Sequence, residues 1–326
     1  MEVLKPAAGG RYDQIDALKG IAIFLVVLGH SVIYYPVNLH ENAACEFLFQ
    51  WLSSVHMQLF FVISGFCFSV PERYGAYVWK KVRRLMVPYV VFNAADILPR
   101  SLLPQLVNRP RGLGESLYKI VFDGGEYWFL YTLFIIFLIY PAIYKYLHRN
   151  VYTALALLIL EAGLPYLPLP CSVFRVQSVA QYLFYFSLGA VIKQFFGGRV
   201  FQAEYGRTGV FPLIAALSIE WVLLLRMNAS YMVMALTGLL VFYLCVQYRG
   251  VVEIFKPFGK YSLQLYLFNG YLLVVSRTIA VSIAGIRNPA VIIAFNMLID
   301  FGLSYLIIKY VCERFRFVRV LMGMRA

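Results

Sequence analysis

The sequence predicts an all-α integral membrane protein, a bundle of about ten transmembrane helices with both termini on the cytoplasmic side. Three observations carry this. Hydrophobic residues make up 61% of the 326-residue chain and charged residues 14%, whereas soluble domains carry about 25% charged residues and less than half apolar ones. Apolar runs long enough to span a bilayer recur along the whole length. Of the 29 Lys and Arg residues, most gather in alternate links between those runs, the pattern that sets membrane topology; Arg100, Arg109, Arg111, Lys119, Arg175, Arg226, Arg277 and Arg287 fall elsewhere.

Ten such runs are read, at 18–35, 47–70, 85–103, 127–146, 151–169, 179–196, 210–225, 231–247, 261–284 and 290–310. A polar stretch holding Pro104, Pro110 and Gly112 separates the third from the fourth and ends in Asp123-Gly-Gly-Glu126. The runs leave no room for a separate soluble domain, so residues 1–326 are read as one transmembrane domain. Met1 to Tyr12 is polar and the first run ends in His30 without a cleavage site, so no removable signal peptide is expected. No internal repeat is legible, and neither are the broken short helices of an inverted-repeat transporter.

With the N-terminus inside, the inner links collect Lys5, Arg11 and Lys19, then Arg73, Lys80, Lys81, Arg83 and Arg84. Further along they collect Lys145 and Arg149, then Lys193, Arg199 and Arg207, then Arg249, Lys256 and Lys260, and finally Lys309, Arg314, Arg316, Arg319 and Arg325. An even number of spans returns the C-terminus, with its own basic run, to the inner side. The net charge of +13 therefore reflects topology, and no nucleic-acid partner is expected. Cys45, Cys67, Cys171, Cys245 and Cys312 are scattered without CxxC spacing, so no metal site is expected. A bridge between Cys45 and Cys171 stays open.

The stretch Asp16-Ala-Leu-Lys-Gly-Ile-Ala-Ile-Phe-Leu-Val-Val-Leu-Gly-His30 holds the chemistry-bearing residues of the first run. Eleven residues turn a helix about three times, so Lys19 and His30 share a face with Asp16 close to it. At 1.5 Å per residue His30 stands about 16 Å above Lys19, near mid-depth in a bilayer of about 30 Å. His56 lies about ten residues into the second, antiparallel run, at about the same depth. Each imidazole reads either as a core histidine bonded to neighbouring helices or as a base that takes a proton from a hydroxyl. The inner link Lys80-Lys-Val-Arg-Arg84 reads either as ordinary positive-inside charge or as a polyphosphate site, in which arginine gives bidentate contacts. Asp96, Arg100, Glu161, Glu220, Arg277 and Asp300 fall inside runs, with structural pairing, such as Arg277 with Asp300, as the expected role. Trp128 is expected at an aromatic belt.

Taken together, these stretches resemble the membrane-bound acyltransferase-3 family of bacterial O-acyltransferases. The residues that carry the resemblance are Asp16-Ala-Leu-Lys-Gly20 through His30 and His56-Met-Gln-Leu-Phe-Phe-Val-Ile-Ser-Gly-Phe66. Arg83-Arg84 with Pro88, Tyr127-Trp-Phe-Leu130, Gly259-Lys-Tyr-Ser-Leu-Gln-Leu-Tyr-Leu-Phe-Asn269 and Glu313-Arg-Phe-Arg-Phe-Val-Arg-Val-Leu-Met-Gly323 add to them, in the family's order. Two positions depart: Lys19 stands where the family commonly has arginine, and Asn269 where it frequently has histidine, so no proton transfer is assigned to Asn269.

The resemblance implies transfer of an acyl group, usually acetyl, from cytoplasmic acyl-CoA to a hydroxyl of a sugar, polysaccharide or lipid-linked glycan, in the bacterial inner membrane among membrane lipid. His30 would be the base, Asp16 and Lys19 would organise the inner end of the site, and His56 would position the acceptor or share the proton. Lys80, Lys81, Arg83 and Arg84 would hold the CoA phosphates, and no metal is implied. The competing class is a transporter or flippase of a glycolipid or small organic anion, with the same buried charges lining a path.

Overall fold

In the computed structural model, residues 12–33, 39–102, 111–147, 149–167, 173–201, 215–219 and 231–324 are described. Every regular element among them is helical, as the apolar runs predict. The first run becomes α1 (Asp13–Ile33) and the second α2 (Ala43–Phe66). The basic link forms α3 (Tyr74–Lys81), which passes through a π turn at Val82–Met86 into α4 (Val87–Leu102). The stretch read as a polar connection holds α5 (Leu113–Tyr118) and a further π turn. Then come α6 (Trp128–Leu147), α7 (Val151–Gly163) and α8 (Val176–Phe196). After them follow α9 (Tyr231–Cys245), α10 (Arg249–Lys260), α11 (Ser262–Phe268) and α12 (Tyr271–Arg277). The last run holds α13 (Pro289–Asn296), a π segment and α14 (Ser304–Ile307), and α15 (Arg316–Leu321) lies beyond it.

Among the described residues, four helices are long and apolar enough to cross a membrane, or six if each of two bent pairs counts as one span. The bends are of 108° between α9 and α10 and 52° between α11 and α12. The second bend is a helix break inside the ninth run that was not legible in the sequence. The seventh run, with Glu220, falls almost wholly outside the described residues, as do Cys171 and the side chain of Arg100.

The chain divides into two compact units, Met1–Ser64 with Ile192–Tyr305, and Gly65–Val191 with Leu306–Ala326. In the first unit α1 is buried almost all round, from Ile15 and Ala17 to Val32, as an apolar helix with no wet face must be. Its main partner is α10, and glycines set the approach. A Cβ on Gly20 would fall on the carbonyl of Phe255, and one on Gly259 on the carbonyl of Asp16. Only residues without a side chain let two backbones meet this closely. Phe24 packs edge-on to Phe255 at 5.8 Å, and Lys256 pairs with Asp13 at 2.6 Å near the N-terminal end of α1. In the second unit, a Cβ on Gly65 would meet the Phe186 carbonyl, and Phe68, Phe137 and Phe186 form an aromatic core around the fully buried Tyr140. Trp128 packs inward rather than serving only as a belt anchor. It stacks on Tyr182 at 5.6 Å, with the Arg175 guanidinium 5.5 Å from its ring.

Candidate active site

In the first unit, α1 delivers its polar residues at two levels. Near its start, Lys19 Nζ lies 3.3 Å from Asp16 Oδ1. Asp16 is 3% exposed, and its place in the first turn also sets its carboxylate against the positive end of the helix dipole. Three turns on, about 16 Å along the axis, half-buried His30 meets two other elements. Asn269 Nδ2 is 2.5 Å from His30 Nδ1, and His56 of α2 lies in the same neighbourhood. The Asp16–Lys19 pair and the His30 group thus share a helix without touching.

The two imidazoles are held differently. His56 Nδ1 donates to the carbonyl of Leu52, one turn back on its own helix. A carbonyl only accepts, so neutral His56 carries its proton on Nδ1 and a lone pair on Nε2. His30 has a side-chain amide as neighbour, which can either donate or accept. That amide is placed by the break in the ninth run. Asn269 ends α11 at φ −55° and ψ 126°, and Gly270 follows at φ 109°, a conformation open to glycine at little cost. Past the break, the fully buried Arg277 donates from Nη1 to the carbonyl of Ser31 at 3.0 Å, so it is anchored to the residue after His30. The expected partner, Asp300, has neither carboxylate oxygen bonded to a side chain. Next to Arg277 in the chain, Ser276 Oγ donates to Asn296 Oδ1 at 2.8 Å.

The basic residues of α3 and its π turn belong to the second unit and split into two kinds. Lys80, Arg83 and Arg84 are exposed. Lys81 turns inward, with its ammonium 3.2 Å from the centre of the Phe137 ring and 5.2 Å from that of Tyr77. Burial first, then the neighbouring Arg84 and Lys80 charges, lower its pKa to about 7. The charges of Lys80, Arg83 and Arg84 therefore lie at the surface, and that of Lys81 lies over aromatic faces as a cation–π contact. Cys45 is a free, buried thiol. Among the described residues, no group of three or more His, Cys, Asp or Glu is arranged to hold a metal ion.

Asn269 and Arg277 are the members of this neighbourhood that sequence reasoning did not place. An Asn-Gly pair inside an apolar run was the available signal for the first, since those two residues favour a break. For Arg277 the signal was its position in a span, which marked it without naming the Ser31 carbonyl.

Comparison with curated proteins and comparison with solved structures each gave no match. Comparison with family models gave one, the acyltransferase-3 model, described as an acyltransferase domain, over residues 12–309. That range takes in α1 with His30, the basic link, and the broken helix with Asn269. This chain belongs to the acyltransferase-3 family, and with its apolar helices it is a membrane acyltransferase.

Proposed function

We propose that this protein is an O-acyltransferase of the bacterial inner membrane. It moves an acyl group, acetyl in the first instance, from cytoplasmic acyl-CoA to a hydroxyl of a sugar, polysaccharide or lipid-linked glycan. The observation that supports this best is the half-buried His30, held at Nδ1 by Asn269 and neighboured by His56, within a chain of the acyltransferase-3 family. An ionisable group at this depth is costly unless it has work to do.

In the proposed step, His30 Nε2 takes the proton of the acceptor hydroxyl as its oxygen attacks the thioester carbonyl carbon. The new C–O bond forms, the C–S bond breaks, and its electron pair leaves on sulfur. The thiolate then takes the proton from the imidazolium, so CoA departs as the thiol and His30 returns to neutral. His56, with its lone pair on Nε2, orients the acceptor. Lys80, Arg83 and Arg84 hold the CoA phosphates together with Lys81, and Asp16 with Lys19 fixes the inner end of α1. Ten spans, both termini inside and a single domain over the whole chain complete the proposal.

Labelled acetyl-CoA supplied to reconstituted protein with acceptor-bearing membranes tests the reading. Label that passes to acceptor with release of free CoA supports it; movement of acceptor across the bilayer without covalent change favours a transporter. The bend at Asn269 and Gly270 motivates that second reading, because broken helices with buried charge also line transport paths.

A further inference from the structure

The bend between α11 and α12 puts a carboxamide against the base. Asn269 is 7% exposed, its Nδ2 lies 2.5 Å from His30 Nδ1, and its Oδ1 is buried without a hydrogen-bond partner. With nitrogen facing Nδ1, that ring atom accepts, and neutral His30 keeps its proton on Nε2. A ring so arranged has no lone pair left for a hydroxyl proton. A carboxamide turned half a circle fills the same volume and sets Oδ1 against Nδ1. His30 then donates Nδ1–H, and the lone pair returns to Nε2. The turn exchanges one unpartnered end of the amide for the other, so hydrogen bonding within the chain does not choose between the two. The chemistry of a base does.

We propose that Asn269 is the positioning residue that selects the reactive tautomer of His30, by accepting its Nδ1–H at Oδ1 and holding the ring at the helix break. The inference rests on the reading of His30 as the base. It also gives the break a purpose: an asparagine inside a continuous helix would lie on a rotating face, whereas one at a helix end followed by Gly270 at φ 109° is set by the backbone of two segments. The same logic is met wherever a base is oriented through its second nitrogen.

The test is the pH dependence of acyl transfer from labelled acetyl-CoA in reconstituted protein with acceptor-bearing membranes, comparing wild type with Asn269→Asp and Asn269→Leu. His56 on α2 is a titratable neighbour of His30, so each profile is also recorded with His56→Asn to separate that titration. Asn269→Asp keeps the shape and the acceptor but adds a negative charge beside Nδ1–H, which favours the imidazolium. The acid limb of the kcat profile is expected to move up by about one unit. Asn269→Leu offers no acceptor; kcat is expected to fall about 10- to 100-fold with the acetyl-CoA KM within about two-fold, the signature of a misplaced base rather than lost binding.

An Asp variant whose acid limb stays at the wild-type position overturns the proposal, as does a Leu variant with undiminished kcat. If the Leu variant fails to fold, the isosteric Asp variant decides alone. His30→Ala separates the two levels. An active His30→Ala refutes the base and this inference with it, whereas an inactive one beside an unmoved Asp profile refutes the inference only.

Discussion

Replacing Gly259 by alanine tests the packing that carries His30. At this position a Cβ would meet the carbonyl oxygen, the carbonyl carbon and, at 3.0 Å, the Cα of Asp16. All three are backbone atoms of α1, so no side chain can swing aside and the helices must separate. In an open helix the change from glycine to alanine gains about 1 kcal/mol. Overpacking of a fitted contact costs about 1–3 kcal/mol, and separation also loosens the Phe24–Phe255 and Asp13–Lys256 contacts. The expected net loss is about 1–2 kcal/mol, or about 1.5–3 °C of thermal midpoint at about 2.1 cal/mol/K of unfolding entropy per residue. Gly250 lies in the same helix with nothing within 4 Å of its would-be Cβ, so Gly250→Ala should be neutral or slightly stabilising. Gly20 belongs to the same crossing, since its Cβ would also come within 3.2 Å of the Gly259 nitrogen. Once one alanine has forced the helices apart the second costs less, and the double variant should lose less than the sum of the singles. The assay is thermal unfolding of purified protein in detergent. Equal midpoints for Gly259→Ala and Gly250→Ala would refute the close crossing, and strict additivity would refute the shared strain.

Two further outcomes follow from particular side chains. Cys67 is exposed and Cys45 is buried, so a membrane-impermeant maleimide should label Cys67 in inverted vesicles and not in intact cells, and should leave Cys45 unlabelled in both. Labelling of Cys67 from outside would reverse the proposed orientation. Lys81 has its pKa lowered to about 7 by burial, below the unfolded value of about 10.4. The folded chain therefore binds fewer protons than the unfolded one between those values, so this group's burial penalty is greatest below pH 7 and fades as pH rises toward 10. Its charge toward CoA is likewise present below about 7 and lost above. Lys81→Gln should weaken CoA binding at pH 6 and hardly at all at pH 8.5, whereas Arg83→Gln weakens it at both. An equal loss at both pH values for Lys81→Gln would contradict the inward, partly neutral lysine.

What could be read from the sequence was what periodicity and charge dictate locally. The α1 helix, the shared face of Lys19 and His30, and the Asp16–Lys19 pair follow from helix geometry alone, and the family was legible because its motifs recur in order. Contacts between distant segments were not legible. Nothing in the spacing of residue 30 and residue 269 tells that a bend of 52° will carry an amide to an imidazole, because the break depends on Gly270 adopting positive φ in a packed setting. Arg277 was matched to Asp300 by charge, yet the structure satisfies it on the Ser31 carbonyl, a backbone acceptor that no charge pattern reveals. Lys81 shows the same limit: four cations within five residues look alike in sequence, and only the rings of Phe137 and Tyr77 set one apart.

In the proposed mechanism His30 takes the acceptor proton. Acyl transfer from labelled acetyl-CoA by reconstituted His30→Ala protein, with CoA binding measured on the same preparation, tests it most directly. A catalytic His30 predicts retained CoA binding with transfer reduced by about 10²-fold or more, the contribution of a positioned base. A His30→Ala protein that still transfers the acyl group at the wild-type rate would contradict it.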